Sequence, residues 1–144
     1  MKISVGSDHA GFKYKEIIKR LLGEHGIEVI DCGVFSDNYS VDYPDFIRPV
    51  ALDVAEMKAD KGIGVCGSGI GVSIVANKVN GVRAALVLNK EMAALSVKHN
   101  NSNFLAISQL FTSENDLPGI INAWLEASFE GGRHERRVKK IENG

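Results

Sequence analysis

A cysteine followed directly by three alternating glycines is the segment of this chain best suited to chemistry. Residues 66–71 read CGSGIG, after an apolar run at 62–65 and before residues 72–76, which have the composition of a helix. A glycine-rich turn between a strand and a helix exposes backbone N–H groups and the positive end of the helix dipole, so it favours an anion. The same field lowers the pKa of a nearby thiol. The segment predicts a reactive cysteine beside an anion site; the alternative is a buried structural cysteine at a tight turn.

The spacing of these glycines excludes three better-known phosphate-binding motifs. The dinucleotide fingerprint needs GxGxxG, and here the third glycine comes one residue early. The phosphate loop of nucleotide hydrolases ends in Gly-Lys-Ser/Thr, whereas Val72 follows Gly71. A cysteine phosphatase loop would place an arginine at the position of Val72 to clamp the phosphate. Nucleotide and phosphatase chemistry are therefore both disfavoured.

The bulk properties are those of an ordinary globular protein. The chain has 144 residues, 44% of them hydrophobic and 24% charged, and a net charge of −1. These values predict one domain over residues 1–144 and no nucleic-acid or membrane partner. The uncharged stretch at 62–77 is too rich in glycine for a membrane span. The chain has two cysteines, Cys32 and Cys66, and no export signal, which predicts reduced thiols and a cytoplasmic location.

Short apolar runs alternate along the chain with segments of helical periodicity. Five runs are strand candidates: residues 3–6, 28–31, 63–66, 83–88 and 104–107. Apolar residues on both faces of a strand are typical of a parallel sheet that is covered by helices on each side. Helical spacing connects four sets of apolar residues: Tyr14, Ile17, Ile18, Leu21 and Leu22; Phe46, Ile47, Val50, Val54 and Met57; Met92, Leu95 and Val97; Leu117, Ile120, Ile121, Trp124 and Leu125. The pattern predicts a three-layer α/β/α, Rossmann-like domain with a basic helix appended from Gly132.

Ligands of open parallel sheets bind beyond the carboxyl ends of the strands. Two polar segments join the cysteine segment at this edge: residues 7–11 (SDHAG) follow the first strand, and residues 42–45 (DYPD) precede the second helix. Simpler roles are also open for them. Asp8 can cap the next helix, the two aspartates of DYPD can be cap and turn residues, and Tyr43 can be a packing residue.

A second polar concentration, residues 99–103 (HNNSN), follows a helix and precedes the fifth strand, so it belongs to the amino edge of the sheet. One strand of about five residues spans roughly 17 Å. His99 and Cys66 are therefore expected to lie too far apart to meet within one chain. Either His99 stabilises the C-terminus of its helix, or it serves the site of a neighbouring subunit, which would make a dimer part of the mechanism.

The segment GGRHERR at residues 131–137 offers a second anion site. Arg133 and Arg137 are four residues apart, so on a helix they share one face and both can reach a phosphate. The alternative is a solvated basic tail.

Taken together, these segments resemble the type B ribose-5-phosphate isomerases of the ribose/galactose isomerase family. The resemblance rests on SDHAG (7–11), DYPD (42–45), CGSGIG (66–71), NK (77–78) with GVRA (81–84), HN (99–100) and GGRH (131–134), in order along nearly the whole chain. It implies a five-stranded parallel sheet of order 2-1-3-5-4, and a homodimer with sites shared across its interface, which could pair into a dimer of dimers. It also implies interconversion of ribose 5-phosphate and ribulose 5-phosphate through an enediolate, without metal or cofactor, in the non-oxidative pentose phosphate pathway.

The resemblance also implies the roles of individual residues. Cys66 matches the base that moves a proton between C2 and C1, and His99 of the partner subunit matches the group that opens the furanose ring, with Asp8 assisting. Ser68 would exchange a proton with the substrate oxygens and completes this catalytic set. The implied substrate-binding residues are Asp8, His9, Tyr43, Gly67, Ser68, Gly69, Ile70, Gly71, Asn100, Arg133 and Arg137. Among them, the N–H groups of the glycine segment would hold the oxyanion, Tyr43 and Asn100 would position the sugar, and His9 and the two arginines would hold the phosphate.

The chain departs from the family pattern at two positions and leaves two other functions open. Ser68 stands where many members have threonine, which keeps the hydroxyl. Gln109 stands where relatives often have an arginine that can contact phosphate, so one phosphate anchor is absent. An isomerase of allose 6-phosphate or another hexose 6-phosphate is one alternative. A non-catalytic sugar-phosphate sensor is the other, but a sensor would not need Cys66 and His99 together.

Overall fold

Five parallel strands form a single sheet in the computed structural model, which describes residues 1–144. The strands are β1 (Lys2–Ser7), β2 (Glu28–Asp31), β3 (Lys61–Cys66), β4 (Ala84–Val87) and β5 (Phe104–Ser108). Their order across the sheet is β2-β1-β3-β5-β4, and every neighbouring pair is parallel. The predicted parallel sheet and its order are confirmed.

Six α-helices cover the sheet: α1 (Phe12–Glu24), α2 (Tyr43–Ala55), α3 (Ile70–Asn77), α4 (Lys90–Asn100), α5 (Leu117–Glu126) and α6 (Arg133–Glu142). One apolar core lies between the sheet and α1, α4 and α5, with Trp124 fully buried in it. A second core lies between the opposite face and α2 and α3. The basic helix α6 packs outside this arrangement, against α4. None of these helices has both the length and the apolar character that crossing a membrane requires.

Strands β1 and β5 extend one residue beyond the predicted ends at 3–6 and 104–107, and three further boundaries differ for identifiable reasons. Helix α2 ends at Ala55, so Met57 is not part of its apolar face; it is 89% exposed and has a φ of 58°. Strand β3 begins at Lys61, earlier than predicted, since the glycines in it contribute no apolar side chain to the pattern. Strand β4 lacks the predicted Arg83, whose backbone N–H and guanidinium bond to the α4–β5 connection at Asn103 and Asn101.

A buried ion pair anchors the start of the loop that joins β2 to α2. The Lys15 ammonium, which is fully buried, lies 2.7 and 2.9 Å from the two carboxylate oxygens of Asp31. Burial alone would raise the pKa of Asp31, but hydrogen bonds from Lys15 and Lys19 outweigh it and hold this pKa below its ordinary value. Asp31 also accepts the N–H of Gly33, so the pair orders the loop that leads to Tyr43.

Candidate active site

Cys66 is the last residue of β3, and its side chain is buried where the chain turns into α3. The turn requires Gly69, which has a φ of 75°, and a Cβ at this position would lie 2.6 Å from Cδ1 of Leu86. This left-handed backbone directs the N–H of Gly69 back to the Cys66 Sγ, at 3.2 Å. The turn therefore places the positive end of a backbone dipole against the sulfur.

Further backbone donors lie in the same turn and at the start of α3. The N–H of Ile70 donates to the Ser68 hydroxyl at 3.2 Å. Four more N–H groups have no acceptor within the chain: those of Gly67, Ser68, Gly71 and Val72. Unpaired N–H groups in a turn and at a helix N-terminus are suited to bind an anion. The structure thus contains free backbone donors beside Cys66, and the binding of an anion by them stays a prediction.

The segment after β1 lies beside this turn. The N–H of Asp8 donates to the carbonyl of Val65 at 3.4 Å, which ties Asp8 to the strand that carries Cys66. The buried Asp8 carboxylate accepts the N–H of Gly11 at 2.9 Å. Gly11 is itself the N-cap residue of α1. The prediction that Asp8 caps α1 is therefore wrong in detail: the carboxylate closes the turn before the helix and bonds to none of the N–H groups in its first turn.

Two further residues, His9 and Tyr43, lie at the same ends of the strands as Cys66. Nδ1 of His9 accepts the N–H of Val41 at 3.0 Å, so the imidazole is held against the segment that leads into α2. Tyr43 begins α2, and a Cβ placed on Gly71 would lie 2.5 Å from its Cζ. The phenol ring therefore lies directly over the first turn of α3. We call Asp8, His9, Tyr43 and residues 66–71 the cysteine half-site.

Gln109 follows β5 and borders the cysteine half-site. Its N–H donates to the carbonyl of Cys66 at 3.0 Å, and its side-chain oxygen accepts the N–H of Tyr14 at 3.3 Å. The amide side chain is thereby held against the first turn of α1, and it carries no positive charge for a phosphate. Asp42 is the N-cap residue of α2 by position, although its side chain makes no capping hydrogen bond.

The other predicted residues meet at the opposite end of the sheet. His99 lies in the last turn of α4, and its ring stacks on that of His134 with 4.3 Å between the centroids and 9° between the planes. One carboxylate oxygen of Glu130 is 3.6 Å from Nε2 of His99 and 3.7 Å from Nε2 of His134. Asn100 ends α4, whereas Arg133 and Arg137 lie exposed on the first two turns of α6. We call His99, Asn100, Glu130, Arg133, His134 and Arg137 the histidine half-site.

Packing and charge both act on His134. Its burial lowers its pKa below the ordinary value, and the neighbouring His99 and Arg133 lower it further, against the opposing effect of Glu130. The N–H of Glu130 donates to the carbonyl of Lys98 at 3.1 Å, which fastens the α5–α6 connection to the end of α4. The surroundings of His134 therefore favour its uncharged form, and the packing holds the ring in place beside His99.

The two half-sites lie at opposite ends of the strands. The cysteine half-site is at the carboxyl ends and the histidine half-site at the amino ends. Cys66 pairs with Ser108 at the end of β5, whereas His99 precedes Phe104, the first residue of that strand. The strand between them is five residues long, or about 17 Å. The structure thus brings the predicted residues together in two groups and does not join the groups within one chain.

Sequence reasoning missed two members of the histidine half-site. His134 stood in the GGRH segment without a role, and Glu130 was not singled out. Their position beside His99 depends on how the α5–α6 connection folds onto α4, and no local sequence signal reports that contact.

The sequence and the fold both match known proteins. A family model for ribose/galactose isomerases matches residues 3–141. The chain is 44% identical over 140 residues to ribose-5-phosphate isomerase B of Escherichia coli (strain K12), an alignment that covers 97% of this chain and 93% of that protein.

Two solved structures illustrate the structural similarity. Ribose-5-phosphate isomerase B of Clostridium thermocellum superposes with a TM-score of 0.96 at 46% identity, covering 99% of this chain and 96% of that chain. Ribose-5-phosphate isomerase B of Mycoplasma genitalium, solved with bound ribulose-5-phosphate, superposes with a TM-score of 0.94 at 42% identity, covering 99% and 94% of the two chains.

Proposed function

Because the chain belongs to the ribose/galactose isomerase family, we propose that it is an aldose–ketose isomerase that interconverts ribose 5-phosphate and ribulose 5-phosphate. The substrate follows from the similarity to the Mycoplasma genitalium enzyme, whose structure holds ribulose-5-phosphate. The observation that carries the chemistry is the buried Cys66 sulfur beside free backbone donors at the start of α3. A base next to an anion site is what proton transfer through an enediolate requires.

We propose that Cys66, as the thiolate, removes the proton from C2 of the open-chain aldose and returns it to C1. While C2 is deprotonated, negative charge develops on the former aldehyde oxygen. The free N–H groups of Gly67, Ser68 and Gly71 are positioned to stabilise that charge without reorganising, and such donors are among the largest contributions to catalysis. The Ser68 hydroxyl passes the remaining proton from O2 to O1, so that the product differs from the substrate only in where its hydrogens lie.

The proposed site needs a second subunit, because His99, the proposed ring-opening group, lies at the other end of the strands from Cys66. The sheet edge at β4 supports such a dimer. Exposed apolar side chains flank it on both sides: Ile70, Ile74, Leu88, Met92 and Leu95. A two-fold axis at this edge would set two β4 strands antiparallel, so that the carboxyl edge of one sheet faces the amino edge of the other.

In this dimer, each cysteine half-site receives a histidine half-site from the other chain. His99 of the partner subunit opens the ring by proton transfer, with Asp8 assisting from the first chain. Tyr43 and Asn100 position the sugar, and His9, Arg133 and Arg137 hold the phosphate. Arginine side chains suit this task because they donate paired hydrogen bonds to phosphate oxygens. Two such dimers could associate further.

We also propose that the protein works in the cytoplasm, in the non-oxidative pentose phosphate pathway, and that the proton transfers use protein groups alone. The support for the compartment is that Cys32 and Cys66 are both free thiols, as expected in a reducing environment.

Gly71→Ala tests the proposed position of Tyr43 in the site. The added methyl group would overlap the phenol ring and push it away from the first turn of α3. We expect kcat/KM for ribose 5-phosphate to fall about 10- to 100-fold, since a displacement of about 1 Å near a reacting group can cost that much. Stability should change little, because alanine is the better helix former.

Gly23→Ala is the matched control for this substitution. Gly23 also lies in a helix, but a Cβ there would meet nothing within 4 Å. This variant should keep full activity and melt at the same temperature as the unmodified protein or slightly higher. Equal kcat/KM values for the two variants would remove Tyr43 from the proposed site.

The function itself is tested by assaying purified protein for ribulose 5-phosphate formation from ribose 5-phosphate in excess chelator, with allose 6-phosphate assayed in parallel. Turnover of ribose 5-phosphate under these conditions is the expected result. Turnover of allose 6-phosphate alone would keep the mechanism and change the substrate. Binding of sugar phosphate without turnover of either would overturn the proposal in favour of a sensor.

A further inference from the structure

Glu130 and His134 have no role in the proposed isomerisation, yet both face the catalytic histidine. The ligand atoms of His99, Glu130 and His134 all lie within 4.8 Å of one another. Two imidazoles and a carboxylate form one of the ligand sets that bind zinc in proteins, with a fourth position left to water or substrate. The cluster is therefore suited to bind a transition metal, in addition to lying beside the arginines proposed to hold phosphate.

We propose that His99, Glu130 and His134 bind a divalent transition metal such as Zn²⁺, and that the bound metal inhibits the isomerase by occupying His99. Zinc takes imidazole nitrogen and carboxylate oxygen at about 2.0–2.2 Å, which sets neighbouring ligand atoms of a tetrahedron about 3.3–3.5 Å apart. The Glu130 oxygen lies 3.6 and 3.7 Å from the two Nε2 atoms. Both distances exceed the tetrahedral value by only a few tenths of an ångström.

Ion binding needs one adjustment, and the exposure of the side chains permits it. Stacked parallel rings do not aim their nitrogens at a common point, so one ring must turn. His134 is buried, whereas the side chains of His99 and Glu130 are 40% and 52% exposed. His99 can therefore rotate out of the stack toward the ion while His134 stays fixed and Glu130 follows.

The electrostatic surroundings of the cluster oppose a cation. The two imidazoles and the carboxylate supply at most one negative charge to offset that of a divalent ion. Arg133 and Arg137 place positive charge on the same helix as His134, which limits the affinity for a cation. The arginines also attract the phosphate of the substrate, so metal and sugar phosphate are expected to compete.

Binding is tested directly by titrating the chelator-treated protein with Zn²⁺ by calorimetry, and by following Co²⁺ in its place through its visible absorption. We expect one ion per chain. Glu130→Gln keeps the shape of the side chain and removes the charged ligand. It should weaken Zn²⁺ binding at least about tenfold, the smaller of the losses seen when even a group that only hydrogen-bonds to a metal ligand is removed. His134→Gln should do the same.

His25→Gln is the matched control. His25 is an exposed histidine at the end of α1 that contacts Asn122, and it should leave Zn²⁺ binding and activity unchanged. Unaltered Zn²⁺ affinity in Glu130→Gln and His134→Gln, or equal loss in His25→Gln, would overturn the metal site. Because Glu130 is exposed, its variant remains informative even if His134→Gln fails to fold.

Inhibition is tested separately, since it rests on the proposed function whereas binding does not. Zn²⁺ should inhibit ribose 5-phosphate turnover in the unmodified protein, chelator should restore it, and Glu130→Gln should need at least about tenfold more Zn²⁺ for the same inhibition. Binding at His99 without inhibition would overturn the inhibitory role and would also place His99 outside the active site. An absence of turnover in chelator alone would count against the proposed function and leave the binding result intact.

Discussion

Cys66→Ala is expected to lower kcat for ribose 5-phosphate by about 10²- to 10⁴-fold, the range that a positioned acid or base contributes to a proton transfer. The residues that follow the glycine turn offer no substitute base, because residues 71–74 read GVSI and contain no carboxylate. Substrate affinity should be nearly unchanged, since the donors for the oxyanion belong to the backbone. The measurement is kcat from direct formation of ribulose 5-phosphate, with binding of ribulose 5-phosphate followed by calorimetry.

The second cysteine of the chain provides the control for this variant. Cys32 follows β2, with its Sγ 3.3 Å from the Ser4 hydroxyl and 3.5 Å from a carboxylate oxygen of Asp53. Burial raises the pKa of this thiol, and Asp53 raises it further, so it stays protonated and unreactive near neutral pH. Cys32→Ala should keep the kcat of the unmodified protein. If Cys66→Ala kept comparable turnover, Cys66 would not be the base.

Most of the fold could be predicted because short apolar runs, which form strands, alternate along the chain with segments of helical periodicity. Strand β2 was expected at residues 28–31 and lies at Glu28–Asp31, because its apolar run is bounded by polar residues. Where glycine takes the place of apolar residues, as in β3, the apolar pattern predicts a strand that is shorter than the one formed. Met57 shows the opposite error: its spacing continues that of α2, but the chain has already turned, and the side chain lies in solvent.

The site could be predicted only where the chemistry is carried by contiguous residues. The turn from β3 to α3 needs Gly69 at a positive φ, and that demand is visible in the glycine pattern itself. The position of His99 at the amino edge also follows from the order of elements. The contact of His99 with Glu130 and His134 does not, because it joins residues from a helix end, a connecting loop and a later helix.

Mixing inactive Cys66→Ala and His99→Asn proteins is expected to restore activity. If each site takes the cysteine half-site from one chain and the histidine half-site from the other, a heterodimer contains one site with both substitutions and one site with neither. Random exchange of equal amounts makes half of the dimers mixed, so about one quarter of all sites become whole. The mixture should therefore reach about one quarter of the activity of the unmodified protein.

The separation of the half-sites by the length of β5 is what makes this recovery specific to a shared site. A protein carrying both substitutions, mixed with Cys66→Ala, is the matched control, because no pairing of those chains contains an intact cysteine half-site. Exchange is verified by native mass spectrometry of differently tagged chains. If mixed dimers form and activity stays at the level of the control, the site lies within one chain or His99 has a structural role only.

Recovery in the test mixture alone would instead mean that each chain supplies the base for one site and the ring-opening histidine for the other. Association of two chains would then be required for catalysis itself.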